Sequence, residues 1–397
     1  MSNRSKKRRK TSEESKQQRL TERQIQRRRK RKKEIKKAKE RKMLFSIIAL
    51  IVIILFVFGI ISSCINKTIS NLKDPSSPSQ QGENTSQINS QSSSDDIPDN
   101  GENGYLTEQG VYIWNNKAYE TFQASNGAAA SYAGAISHYK NKLGSNVAVY
   151  NLVVPTHTAF GLPDRLEKTV VSTDQKKYLD NIFKSYSSKV NSINVYDIFE
   201  EKKKEALYLN TDHRWTSLGA YYAYEKFCEV ADETPVKLSE LTSNKITNYV
   251  GSLYKSTNAE VLINNPDTIT YYDIPKSYTI SVLKNNSSEW KEYRNVYNEA
   301  VRDYNLFIYG DNAVTKIVND SSINNKKILV VKDSYGNAFV PWLVNNYDEV
   351  HSIDFRLYNG NIINYVAKND ISIVLFINST VNSSVSSQID KMSALFA

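Results

Sequence analysis

Disulfide bonding has almost nothing to work with in this chain, because Cys64 and Cys228 are the only cysteines among 397 residues. Cys64 ends an apolar run and Cys228 sits in a helical pattern, so no disulfide within a domain is expected and a disulfide-stapled fold is excluded. Histidine is nearly as scarce: His138, His157, His213 and His351 are the full set. With no second His or Cys cluster at ligand spacing, a metal site is the weaker reading of any of them, and no cofactor is expected. Two further absences are local. Residues 44–65 carry no charge, and residues 66–104 contain no aromatic side chain.

Charge is concentrated at one end. Residues 1–42 hold 21 Lys or Arg against 5 Glu, a net of +16, while the whole chain is +10, which leaves −6 for everything after Lys42. Such a tail alone would suit nucleic acid. The uncharged run Leu44 to Ile65 that follows is dominated by Ile, Leu, Val and Phe and is long enough to cross a hydrocarbon core of about 30 Å. Nucleic acid is therefore not an expected partner. A membrane is, with residues 1–42 as a cytoplasmic tail and residues 43–65 as an uncleaved, single-pass signal anchor. Ile61-Ser62-Ser63-Cys64 also resembles a lipobox, which would mean cleavage and lipidation at Cys64; the long tail and long span favour the anchor. An exported domain without disulfides fits a Gram-positive surface.

Residues 66–104 are rich in Ser, Asn, Gln, Asp and Pro and cannot bury enough apolar surface to offset the entropy of ordering. They read as a disordered linker carrying an extracellular domain, residues 105–397. In that domain apolar runs alternate with helical stretches. Strands are expected at Val147–Val154, Ser192–Ile198, Asn305–Tyr309, Lys327–Val331, Glu349–Asp354 and Ile371–Ile377, and helices near Thr173–Tyr186, from Ser217 to Val230, and starting at Ser334. Strands apolar on both faces, interleaved with helices, predict an α/β fold, a mainly parallel sheet covered on both sides. Ligands then bind at the carboxyl ends of the strands.

Ser334 stands at such an end, in Lys332-Asp333-Ser334-Tyr335-Gly336-Asn337 after the run Lys327 to Val331. A serine there is either a plain helix N-cap or a nucleophile beside free backbone amides. A partner base separates the two. His138 and His351 read as surface or satisfied histidines, and His157, in Val153-Val154-Pro155-Thr156-His157, is a reserve candidate. His213 is the strongest. Asp212 supplies a carboxylate to orient an imidazole, Trp215 a rigid wall, and Thr216-Ser217 the start of a helix that fixes the loop. Asp212, His213 and Ser334 together are the parts of an acyl-transfer site.

Thr211-Asp212-His213-Arg214-Trp215-Thr216 with Gly219-Ala220-Tyr221-Tyr222-Ala223-Tyr224, Gly251-Ser252-Leu253-Tyr254 and the segment around Ser334 resembles the bacterial DHHW family, itself related to SGNH-like alginate O-acetyltransferases. The resemblance implies a three-layer α/β/α SGNH-like fold, Ser334 as nucleophile and Asp212 as triad carboxylate. Because Phe307-Ile308-Tyr309-Gly310-Asp311-Asn312 is similar to the family's Gly-Asn stretch, it also implies Asn312 as oxyanion donor, although an ordinary turn asparagine reads the same way. One position departs: the alginate enzymes have Asp-x-His-Trp, which puts their base where this chain has Arg214. Either His213 serves as base with altered loop geometry, or the triad is broken and the protein binds polymer without turnover.

The first alternative implies O-acylation, O-acetylation by the resemblance, of a cell-surface or exported polysaccharide through an acyl-Ser334 intermediate. A membrane-embedded acyltransferase supplying acyl groups is then the implied partner. Water as acceptor would make the protein a carbohydrate esterase. A noncatalytic polysaccharide-binding protein is the remaining class, which the 26 tyrosines would suit.

Overall fold

The computed structural model describes residues 97–285 and 287–396. The basic tail, the apolar run with Cys64 and most of the linker lie outside the described residues. Among the described residues no helix is long and apolar enough to cross a membrane.

In chain order the strands are β1 (Tyr105–Leu106), β2 (Val111–Trp114), β3 (Lys117–Glu120), β4 (Ala148–Val154), β5 (Asn191–Ile193), β6 (Ser243–Tyr249), β7 (Asp267–Tyr272), β8 (Tyr278–Leu283), β9 (Trp290–Tyr293), β10 (Val314–Asn319), β11 (Lys327–Lys332), β12 (Glu349–Asp354) and β13 (Ile373–Ser379). The main helices are α1 (Ala128–Leu143), α2 (Gln175–Lys184), α3 (Tyr196–Glu201), α4 (Ser217–Ala231), α5 (Ser252–Thr257), α6 (Gly336–Leu343), α7 (Ile362–Lys368) and α8 (Ser386–Ala394).

Alternation along the central strands explains why they read as continuous apolar runs. Leu152, Val154, Ile328, Val330, Leu375 and Ile377 enter one core with α3, α4 and α6. Val149, Val153, Leu329, Val331, Val374 and Phe376 enter the other with α1, α2, α7 and α8. Both faces of the sheet are thus covered by helices, and each buried aliphatic side chain contributes about 1.5–3 kcal/mol.

The sheet is mixed: the expected parallel part holds five of its eight strands, and an antiparallel edge extends it. Its order is β5-β4-β13-β11-β12-β10-β8-β9. The first five strands pair in parallel, and β10, β8 and β9 extend β12 in antiparallel pairing. Tyr278 to Leu283 alternates buried and half-buried residues, the pattern of an antiparallel strand with one wetter face. The strand expected at Asn305–Tyr309 is instead a 3-10 turn at Tyr304–Leu306 followed by Ile308, Tyr309 and Gly310, all at positive φ. An extended strand cannot pass through left-handed residues. The strand expected to run to Ile198 ends at Ile193 and gives way to α3.

Two smaller sheets accompany the main sheet: the antiparallel β1-β2-β3 and the ribbon β6-β7. Asn115 and Asn116, both left-handed, close the two-residue β2-β3 hairpin, where φ above zero at both central positions suits the strand twist.

Candidate active site

β11 ends at Lys332, and the next two residues form the turn that presents Ser334. Asp333 anchors that turn: its carboxylate accepts from the Tyr335 amide at 3.0 Å, the Ser379 amide at 2.8 Å and Asn382 Nδ2 at 2.7 Å, tying it to the end of β13. The helix begins at Gly336, with Tyr335 in the cap position and no side-chain cap. Ser334 is therefore not an N-cap, and among the described residues neither its hydroxyl nor its backbone N–H has a hydrogen-bond partner. It is 6% exposed. Gly336 is needed because a Cβ there would strike the buried Lys332 side chain.

The loop of Asp212 and His213 reaches this turn from the opposite side. It is a narrow hairpin, with Tyr208 bridged to Trp215 and the Thr216 amide donating to Leu207 O at 2.9 Å. Asp267 on β7 clamps it by accepting from the Asn210 amide, the Thr211 amide and Thr211 Oγ1 at 2.8, 2.8 and 2.6 Å. Thr216 caps α4 by accepting from the Gly219 amide at 3.1 Å. Trp215, fully buried, donates from Nε1 to Tyr335 O at 2.8 Å, and the Tyr335 hydroxyl donates to His213 O. Two motifs about 120 residues apart are joined by these two bonds.

Within the loop Asp212 is committed to Arg214. Arg214 Nε and Nη2 each donate to it at 2.7 Å, the Arg214 amide at 3.1 Å, Tyr249 Oη at 2.6 Å and the Ser252 amide at 2.9 Å. Burial by itself would raise the Asp212 pKa, but the Arg214 guanidinium outweighs it and holds the carboxyl far below the usual range. Arg214 also lies 3.9 Å over the Tyr304 ring, a cation–π placement that fixes the fork. His213 Nδ1 is 3.5 Å from Asp212, outside hydrogen-bond range, and instead meets Ser252 Oγ at 2.5 Å. With the proton on Nδ1 and shared with Ser252, Nε2 is left as the acceptor. Burial lowers the His213 pKa against the pull of Asp212, which keeps the ring neutral near pH 7.

Asn312 lies in the strained turn beyond Ile308. Its Nδ2 donates to Ile308 O at 2.7 Å, Gly310 O at 3.1 Å and Thr315 Oγ1 at 3.2 Å, so an oxyanion would compete with three acceptors for its hydrogens. A β-branched residue at positive φ, as Ile308 is, is costly and persists only when the surroundings hold it. The turn brings Asp311 to Asn337 Nδ2 at 2.8 Å and to Arg356 Nη2 at 2.8 Å. Arg356 in turn donates to Asp354, at the end of β12.

The other histidines stand apart. His351 is satisfied by Tyr365 Oη and Glu349, and exposed His138 packs on Phe396. His157 is sandwiched between Tyr119 and Tyr208; burial and Lys117 hold its pKa down to about 3.

Two residues were assigned no role in the site from sequence. Ser252 orients His213, although its Gly-Ser-Leu-Tyr context marked it as part of a motif. Glu120, the last residue of β3, has its carboxyl pushed up to about 7 by burial and by the fields of Asp212 and Asp333. β3 reaches the loop through the Ala118 amide, which donates to Asn210 O at 2.8 Å. Only tertiary pairing places Glu120 there.

On this α/β fold the strand-to-helix turn of Ser334 is thus joined to the Asp212-His213 loop through Trp215 and Tyr335. A family model described as DHHW protein matches residues 80–353, and the chain belongs to that family. A DHHW family protein from Eubacterium siraeum DSM 15702 is 28% identical, with a TM-score of 0.67 over 75% of this chain and 100% of that one. Bacillus cereus PatB1 is 21% identical, with a TM-score of 0.58 over 71% and 98%. PatB1 with a sulfonyl adduct gives 19% identity and 0.57 over 69% and 95%; the likeness to PatB1 is one of fold. Among curated proteins none matches the chain.

Proposed function

We propose that this protein is an extracellular, membrane-anchored O-acyltransferase that places acyl groups, acetyl by the family resemblance, on hydroxyls of a cell-surface or exported polysaccharide. The observation that carries the reading is the docking of the Asp212-His213 loop onto the Ser334 turn through Trp215 and Tyr335, which leaves the Ser334 hydroxyl unpartnered beside it.

In the proposed cycle His213 Nε2 takes the Ser334 proton as Oγ bonds to the acyl carbonyl carbon of the donor. The Ser334 backbone N–H, at the amino end of α6, holds the oxyanion, with Asn312 contributing if its turn yields a hydrogen. The imidazolium returns the proton to the leaving group. A polymer hydroxyl then gives its proton to His213, attacks the acyl-serine, and Ser334 Oγ recovers the proton as it leaves. Ser252 holds the imidazole and Asp212 the loop, through Arg214. The donor reaches the outer face through a membrane-embedded acyltransferase. With water as acceptor, the same cycle makes an esterase.

Ser334→Ala should abolish acylation of the surface polymer while the protein stays folded, because a hydroxyl with no partner contributes little to stability. Acyl content measured in a strain carrying only this variant tests it; an unchanged content removes Ser334 from the chemistry. One observation favours the noncatalytic reading instead: Arg214, rather than a histidine, saturates Asp212. Acetate release from a chromogenic ester separates the two, since a polysaccharide-binding protein would release none above the Ser334→Ala background.

A further inference from the structure

Beside the site lies a cavity of about 480 Å³, one wall of which is Leu207, Tyr208 and Asn210, the residues leading into the Asp212-His213 loop. Its volume is in the range of small-ligand sites. The charged lining holds Lys117, Lys203 and Lys204 with one carboxylate, Glu205; Lys203 is paired with Glu200 outside the lining, and Glu205 accepts from Tyr222 Oη at 2.6 Å.

Lys117 is the telling member. It is half-buried on β3, and among the described residues its ammonium forms no ion pair or hydrogen bond. Burial pulls its pKa down, opposed by the field of Asp267, so a charge is held where water is reduced and its counter-charge is not in contact. Next to it, His157 Nδ1 is buried without a hydrogen-bond partner. Buried polar groups in folded proteins are satisfied by protein, water or ligand, and the unmatched Lys117 cation lines this cavity beside His157.

We propose that this cavity binds an anionic group, a carboxylate or a phosphate, on the acceptor polymer, with Lys117 as the counter-charge. Assigning the anion to an acceptor rests on the acyltransfer reading; the cavity's preference for an anionic saccharide does not. An ammonium suits either anion as a point charge. Its position fixes which stretch of a charged polymer presents a hydroxyl to Ser334, so the protein would select polymers with a negative charge near the acylated sugar.

Isothermal titration of the full-length protein tests this with three probes: a galacturonic acid trimer, its neutral methyl ester and a glycerol phosphate trimer. The carboxylate or the phosphate probe should bind about tenfold tighter than the ester, as one charge-assisted hydrogen bond suggests, and which of the two wins identifies the anion. Lys117→Gln should reduce anion binding to the level of the ester, and Lys117→Arg should retain the preference. No preference in the unmodified protein, a preference surviving in Lys117→Gln, or its loss in Lys117→Arg as well, each overturns the proposal. The titration involves no turnover, so it stands or falls apart from the acyltransfer reading.

Discussion

Arg214 is the residue on which the chemistry turns. Its fork gives two and its backbone amide a third of the five hydrogen bonds that Asp212 accepts, and the pair is nearly dry, with 14% and 0% of the two side chains exposed. Removing one partner of such a pair leaves an uncompensated buried charge, so Arg214→Ala should lower stability by about 3–5 kcal/mol in denaturant unfolding. A guanidinium stays protonated and cannot serve as base, whereas neutral His213 can. His213→Ala should therefore slow single-turnover acylation of Ser334 by roughly 10² to 10⁴, and Arg214→His should be tolerated or raise the rate. If His157→Ala alone stops acylation, His213 is not the base.

Glu120 supplies a pH signature. Its folded pKa of about 7 against 4.5 for the free side chain means the protonated form is favoured in the folded state. That contribution is present below about pH 4.5 and is lost as pH rises towards 7. Glu120→Gln should match the parent protein at pH 4 and exceed it at pH 8 by on the order of 2 kcal/mol. Urea midpoints at the two pH values measure this, and equal midpoints at pH 8 would refute the assignment of a strained carboxyl.

At the scale of elements, the site depends on how closely α5 approaches the Asp212 loop. The Gly251 amide donates to Thr211 Oγ1 at 2.8 Å, and a Cβ on Gly251 would collide with Asp212 itself, backbone included. Gly251→Ala should force the two apart, cost about 1–3 kcal/mol as overpacking does, and lose the contact of Ser252 with His213. The expected result is a folded protein whose acylation rate falls as far as in His213→Ala; full activity in the variant would show that the approach has no bearing on the base. Trp215 makes the other join, and its indole serves as both core filler and hydrogen-bond donor.

For the whole molecule, the prediction is one of topology. Under the proposed function, the +16 tail before an uncharged run of 22 residues should keep the amino terminus inside and the folded domain outside. Protease added to intact cells after wall removal should degrade the chain beyond Gly104 and spare a tag at Met1. Loss of the Met1 tag under the same conditions refutes that orientation.

The alternation of α and β segments, the two-sided burial of β4, β11 and β13, and the strand-end position of Ser334 were legible in the sequence, because each follows from local periodicity. The family motifs around Asp212 and Ser334 were equally legible. What the sequence left open was decided by contacts between segments far apart in the chain. β8 to β10 extend the sheet in antiparallel pairing, and Asn305–Tyr309 bends left-handed where its apolar character suggested a strand. Asp212 turns to Arg214 and His213 to Ser252, because α5 and β6 deliver Ser252 and Tyr249 to that loop. Glu120 and Lys117 become site and cavity residues only through the docking of β3 against Asn210. Periodicity reports which face of an element is buried; which distant side chains meet in the site is set by the packing of elements, and no local pattern encodes it.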